Sequence, residues 1–193
     1  MNNLTAFILF CFTFCLCLNA ESQNLQDKKI DQAIQTDSFP ESWLGNWVGD
    51  LHIYKENKLV QTLPMELEML EIDSSDNYVW AIIYGEDKVT GRRSYELEIL
   101  DAEKGIYRID EKNTIKIESY LFGNKLYSQF SVMNSQLLCT YEKVDDKIIF
   151  EIISGSIDPV SSTGSEIVEG EEIPAVKTFP ITIMQKAVLS RKK

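Results

Sequence analysis

From Trp47 onward apolar and polar residues alternate with a period of two, and no helix-length segment of helical period interrupts the pattern. Tyr95, Leu97 and Ile99 alternate with Glu96 and Glu98, while Met65, Leu67 and Met69 alternate with Glu66 and Glu68. Such alternation belongs to strands with one buried face. Ten segments obey it, at 47–54, 59–72, 78–84, 93–100, 105–110, 114–122, 125–133, 136–144, 147–154 and 179–189. The gaps at Gly123-Asn124, Asn134-Ser135 and Asp145-Asp146 are two residues long and of types that favour tight hairpins. Consecutive hairpins build an up-and-down meander, and a meander of this length must hide its edges. Closure into a barrel does so most economically, whereas a two-layer sandwich needs longer crossing connections. The predicted fold is all-β: a single antiparallel up-and-down β-barrel of about 8–10 strands over residues 38–190. Asp37 or Ser38 as a cap, Pro40 in a first turn and Gly45 as a stop predict one short helical turn ahead of it.

The amino terminus follows another rule. Residues 4–18 form a fifteen-residue apolar run broken only by Thr5 and Thr13, and polar Asn19, Glu21, Ser22 and Gln23 follow at once. That is too short to span a bilayer and fits the core of a signal peptide over 1–22. Ala20 and Ser22 suit cleavage before Gln23, with cleavage after Ala20 as the rival. Residues 23–37 read as a flexible polar leader. The expectation is export to the periplasm or the extracellular space. Removal of 1–22 takes away Cys11, Cys15 and Cys17, so Cys139 alone is left and no intramolecular disulfide can form. Lipid anchoring through Cys17 is not expected, because Leu16 rather than a small residue precedes it.

Composition narrows the function classes. Thirty acids against nineteen bases give a net charge of −11, which repels phosphate backbones and argues against a nucleic-acid partner. Hydrophobic residues at 44% and charged ones at 25% suit a globular barrel without a membrane span, expected to be a monomer. A long acidic loop is set at 156–177; Asp158, Glu166, Glu169, Glu171 and Glu172 lack calcium-loop spacing, so it reads as a solvated excursion. Residues 191–193 read as a basic tail.

No catalytic constellation emerges. His52, the sole histidine, shares its parity with Asp50 and Tyr54 and is predicted to face solvent, which argues against a haem ligand. One histidine and one thiol do not assemble a zinc site, and neither a nucleophile with its base nor a phosphate-cradling loop is present. No metal, cofactor or enzymatic activity is expected. Glu66, Glu68, Glu96 and Glu98 are assigned to the outer face, where they keep the sheet soluble.

The stretch Trp43-Leu44-Gly45-Asn46-Trp47-Val48-Gly49, a helical turn leading into a first strand, followed by a meander, resembles the lipocalin and calycin-like barrels of exported bacterial proteins. Their Gly-x-Trp motif is matched by Gly45, Asn46 and Trp47. The resemblance implies that Trp47 closes one end of the barrel and packs against a basic side chain late in the last strand, for which Arg191 is the positional match. The family's second motif has no counterpart here. The helix pair of fatty-acid-binding relatives does not fit in residues 55–58. What the resemblance implies about function is a barrel that encloses a small hydrophobic or amphipathic ligand. The candidate lining, chosen by parity, is Met65, Leu67, Met69, Tyr95, Leu97, Phe130 and Tyr141, with Ile99 and Val132 on the same parity. The alternative is a cell-envelope interaction module with a packed interior. The segment 78–84, holding Trp80 and Tyr84, is apolar on both parities, so its inward face is left open.

Overall fold

Each alternating segment has one face that must leave water and two edges that must find hydrogen-bond partners, and antiparallel pairing with the neighbours in sequence meets both needs. The computed structural model describes residues 38–193. After a single 3-10 turn at Glu41–Trp43 come β1 (Gly45–Lys55), β2 (Lys58–Glu71), β3 (Tyr78–Tyr84), β4 (Arg92–Asp101), β5 (Ile106–Asp110), β6 (Lys116–Phe122), β7 (Lys125–Val132), β8 (Ser135–Val144) and β9 (Lys147–Ser156). Four short strands follow, β10 (Ser161–Thr163), β11 (Glu166–Val168), β12 (Glu171–Ile173) and β13 (Val176–Thr178), and then β14 (Ile183–Arg191). Strands β1 to β9 and β14 form one closed antiparallel barrel in sequence order, with β14 between β9 and β1. The all-β barrel and the leading helical turn agree with the sequence. The cap does not: Pro40 occupies that position and no side chain bonds there.

Hairpin geometry explains the register. Gly123 (φ 61°) and Asp145 (φ 52°) adopt the left-handed backbone in their expected turns. The turn expected at Asn134-Ser135 lies one residue earlier: Met133 has φ 52° and Ser135 already belongs to β8. The final strand begins at Ile183 rather than 179.

Residues 156–177 depart more clearly from the loop expected there. Strand β10 pairs with β13 and β11 with β12, so the chain leaves the barrel and returns as a hairpin arm whose strands are exposed throughout. Its tip, Glu169-Gly170, has both φ angles positive (54° and 87°), as a type I′ hairpin turn requires.

Outside the barrel, carboxylates on the outer parity pair with bases from other strands and turns: Lys88 Nζ with Glu66 at 2.5 Å, Arg92 with Glu68 at 2.7 Å, Lys112 with Glu96 at 3.1 Å and Lys116 with Glu98 at 2.9 Å. The Lys88 bond, opposed by partial burial, holds the Glu66 carboxyl below its ordinary range. Glu66 and Glu68 flank Ala81 and Ile83, the buried outward-parity residues of β3. The strand's inward face is thereby settled as Trp80, Ile82 and Tyr84.

Candidate functional site

The barrel has two ends of different construction. At the end where β1 begins and β14 finishes, Trp43 and Trp47 are fully buried, and Trp47 Nε1 donates to Trp43 O at 2.8 Å. Arg191 pairs with Trp47 across the β1–β14 ladder, and its guanidinium lies 4.3 Å from the centroid of the Trp47 ring. The same guanidinium donates to the carbonyls of Leu44 and Ser42. Gly45 makes this possible in two ways: its φ of 132° suits glycine, and a Cβ there would stand 2.4 Å from Arg191 Nη1. Phe39 meets Trp43 and Tyr107 edge-on, each at 4.8 Å, and completes the plug.

Above the plug, Met65, Leu67, Met69 and Leu97 point inward and are fully buried. They fill the closed half and do not belong to the lining of the cavity in the other half. Tyr95, Phe130 and Tyr141 stand in the other half, where a cavity of about 180 Å³ remains. Trp80, Tyr141 and Phe150 form an aromatic cluster in its wall: Trp80 meets Tyr141 edge-on at 4.9 Å, and Tyr141 leans on Phe150 at 5.1 Å. Ile82, Ile109, Ile117 and Ile152 supply aliphatic wall. Val132, of the same parity, lies beyond the end of the interior and is 52% exposed. Ile99 packs against the core without reaching the cavity.

The polar groups of the cavity are few. Ser128 Oγ is 2.7 Å from Ser119 Oγ, and both residues are buried. Cys139 is a free thiol whose burial pushes its pKa up to about 12, and burial also raises Tyr84 and Tyr141, so all three stay neutral at ordinary pH. Glu111 stands at the rim just past β5, where Asn113 Nδ2 donates to its Oε2 at 3.2 Å. Sequence reasoning overlooked Glu111 and the serine pair. The signals were there: Glu111 continues the inward parity of Tyr107 and Ile109, and the Gly123-Asn124 hairpin sets Ser119 opposite Ser128.

His52 lies on the outer wall, with Nδ1 3.0 Å from Thr62 Oγ1. Among the described residues, no group of three or more His, Cys, Asp and Glu side chains could hold a metal ion, and no helix is long and apolar enough to cross a membrane. A groove of about 390 Å³ runs on the outer wall between Leu138 and Ile153 on one side and Phe179, Pro180 and Ile181, the returning base of the arm, on the other.

With this geometry in place, the chain is similar in fold to the solved structure of a protein of unknown function of the DUF3598 family from Nostoc punctiforme PCC 73102. The TM-score is 0.53 at 12% identity, covering 77% of this chain and 47% of that one. The chain thus spans about half the length of that protein. No family model matches the sequence, and no curated protein matches it.

Proposed function

We propose that this chain is an exported, calycin-like barrel that holds a small apolar or amphipathic molecule in its open half. The observation that carries the reading is the interior cavity of about 180 Å³, walled by aromatic and aliphatic side chains and furnished with few polar groups. Its size sets the scale of the guest. A buried apolar cavity of roughly 150 Å³ accepts benzene, and drug-sized ligands need about 300 Å³ or more, so a single-ring molecule fits and a long acyl chain does not. Gly45 and Trp47 with Arg191 stacked on the indole support the calycin-like assignment. Export rests on the apolar run at 4–18, which lies outside the described residues; fractionation of expressing cells and N-terminal sequencing of the released protein test it.

Trp80 lines the cavity, so its fluorescence should report occupancy by single-ring probes. The filling variants Cys139→Leu and Ile117→Phe should keep a cooperative thermal transition and lose the response. Saturable binding that survives both substitutions contradicts an interior site.

A second reading, a protein-interaction module, is favoured by the arm. Val160, Ile167, Val176 and Ile181 are each more than half exposed on or beside a two-stranded hairpin, an arrangement that gains stability from a packing partner. Replacing residues 161–178 with a short Gly-Ser linker separates the two readings: it leaves ligand binding intact under the first and abolishes function under the second.

A further inference from the structure

We propose that the cavity's ligand is a small organic cation, an ammonium carried by a single ring or by compact alkyl groups. This rests on the ligand-binding reading above and adds the sign of the guest's charge. Six of the thirteen lining residues are aromatic: Trp80, Tyr84, Tyr95, Phe130, Tyr141 and Phe150. Aromatic faces attract cations within about 6 Å of the ring centroid, and the attraction grows when water is excluded. Glu111 is the one carboxylate of the lining, and no Lys, Arg or His belongs to it.

The position of Glu111 matches the division of labour such a guest needs. The β4–β5 ladder pairs Leu97 with Ile109 and Glu96 with Asp110, so its continuation brings Glu111 level with Tyr95 at the rim. The carboxylate therefore stands over the aromatic walls, held on one oxygen by Asn113. An ammonium entering ring-first would leave its charge at that level, where a charge-assisted hydrogen bond is stronger than a neutral one. Arg93 has the inward parity of β4 but is exposed, lies outside the lining and donates to the carbonyls of Thr90 and Arg92 at 3.2 and 3.1 Å; its positive charge reaches Tyr84 and Tyr95, and at Tyr95 the opposite charge of Glu111 acts more strongly. The net charge of −11 acts in the same direction by concentrating cations near the surface.

The test is a charge series of nearly constant shape, phenethylamine, phenethyl alcohol and phenylacetate, titrated calorimetrically against the full chain and its Glu111→Gln variant at neutral pH and low salt. The amine should bind at least about tenfold more tightly than the alcohol, and the acid most weakly. In Glu111→Gln the amine-to-alcohol ratio should fall by at least about threefold, with an unchanged near-ultraviolet circular dichroism spectrum. Equal affinities or a preference for the acid overturn the cation assignment while the binding reading stands, and an amine preference undiminished in the glutamine variant overturns the part assigned to Glu111. Failure of all three probes to bind the unaltered chain overturns both.

Discussion

The contact between Arg191 and Trp47 offers the most direct test of how the closed end is held. Replacing Arg191 by Ala removes a guanidinium lying 4.3 Å from the indole centroid and two donations, to Leu44 O and Ser42 O. A partly desolvated cation–π contact contributes about 1–2 kcal/mol, and charge-assisted hydrogen bonds contribute about 1.5 kcal/mol or more when buried. Arg191 is exposed at its edge, so the sum is discounted to about 2 kcal/mol. For a domain of this size that lowers Tm by roughly 4–8 °C. Arg191→Lys keeps the charge and loses the planar fork, and should recover less than about half of the loss. Lys186→Ala, on the same strand as Arg191, breaks an exposed cross-strand pair with Glu151 of β9 and should change stability by less than about 0.5 kcal/mol. Gly45→Ala makes the case sharper, because its Cβ would stand 2.4 Å from Arg191 Nη1. If crowding of Arg191 is a real part of the glycine's role, Gly45→Ala and Arg191→Ala measured in a double-mutant cycle by urea unfolding should fall short of additivity by more than about 0.5 kcal/mol. Strict additivity, or an Arg191→Lys variant as stable as the parent, refutes the packing argument and leaves only the φ of 132° to explain the glycine.

Three further outcomes follow from the interior and the arm. Ser119→Ala leaves Ser128 Oγ without its 2.7 Å partner and should cost about 1–2 kcal/mol in urea unfolding, whereas removing both hydroxyls should cost less than the two single changes summed. The Cys139 thiol should resist a thiol reagent at mildly alkaline pH until the protein unfolds, because burial pushes its pKa from 9.0 to about 12. Its folded form binds the proton more tightly than the unfolded chain, so stability is full below pH 9 and falls as pH rises toward 12, and Cys139→Ala should flatten that fall. Gly155→Ala would drive a Cβ to within 1.7 Å of Pro180 O, so it should destabilise by about 1–3 kcal/mol and speed proteolysis of the arm.

The barrel was legible because its strands carry one buried face each, and a period of two survives any modest error in strand ends. Tight turns were legible where they used Gly or Asp, and slipped by a residue at Met133-Asn134, where a methionine takes φ 52° against its propensity. The arm was harder to read. Its strands are three residues long and exposed on both faces, so no core imposes an alternation. Parity did place Met65, Leu67, Met69 and Leu97 inside, but it reports only which face is buried and not the height along the barrel. Hence it could not separate residues that fill the closed half from Tyr95, Phe130 and Tyr141, which border the cavity.

What makes the two halves differ is a change in side-chain size along the barrel. A closed sheet of ten strands encloses more width than one of eight, and only bulky side chains can fill it. The closed half supplies them in Trp43, Trp47, Tyr107 and the Met65–Leu67–Met69 row. Farther along, the inward positions of three adjacent strands shrink together: Ser119 on β6 meets Ser128 on β7, and Ser128 pairs with Cys139 on β8. Two of these three line the void, and the aromatic walls stand around it. Small residues at isolated core positions are absorbed by their neighbours, but three abreast leave a gap that close-packed walls cannot collapse. The serine pair satisfies its own hydroxyls and so adds little polarity, which leaves the charge at the rim to Glu111, acting on Tyr95 more strongly than the exposed Arg93.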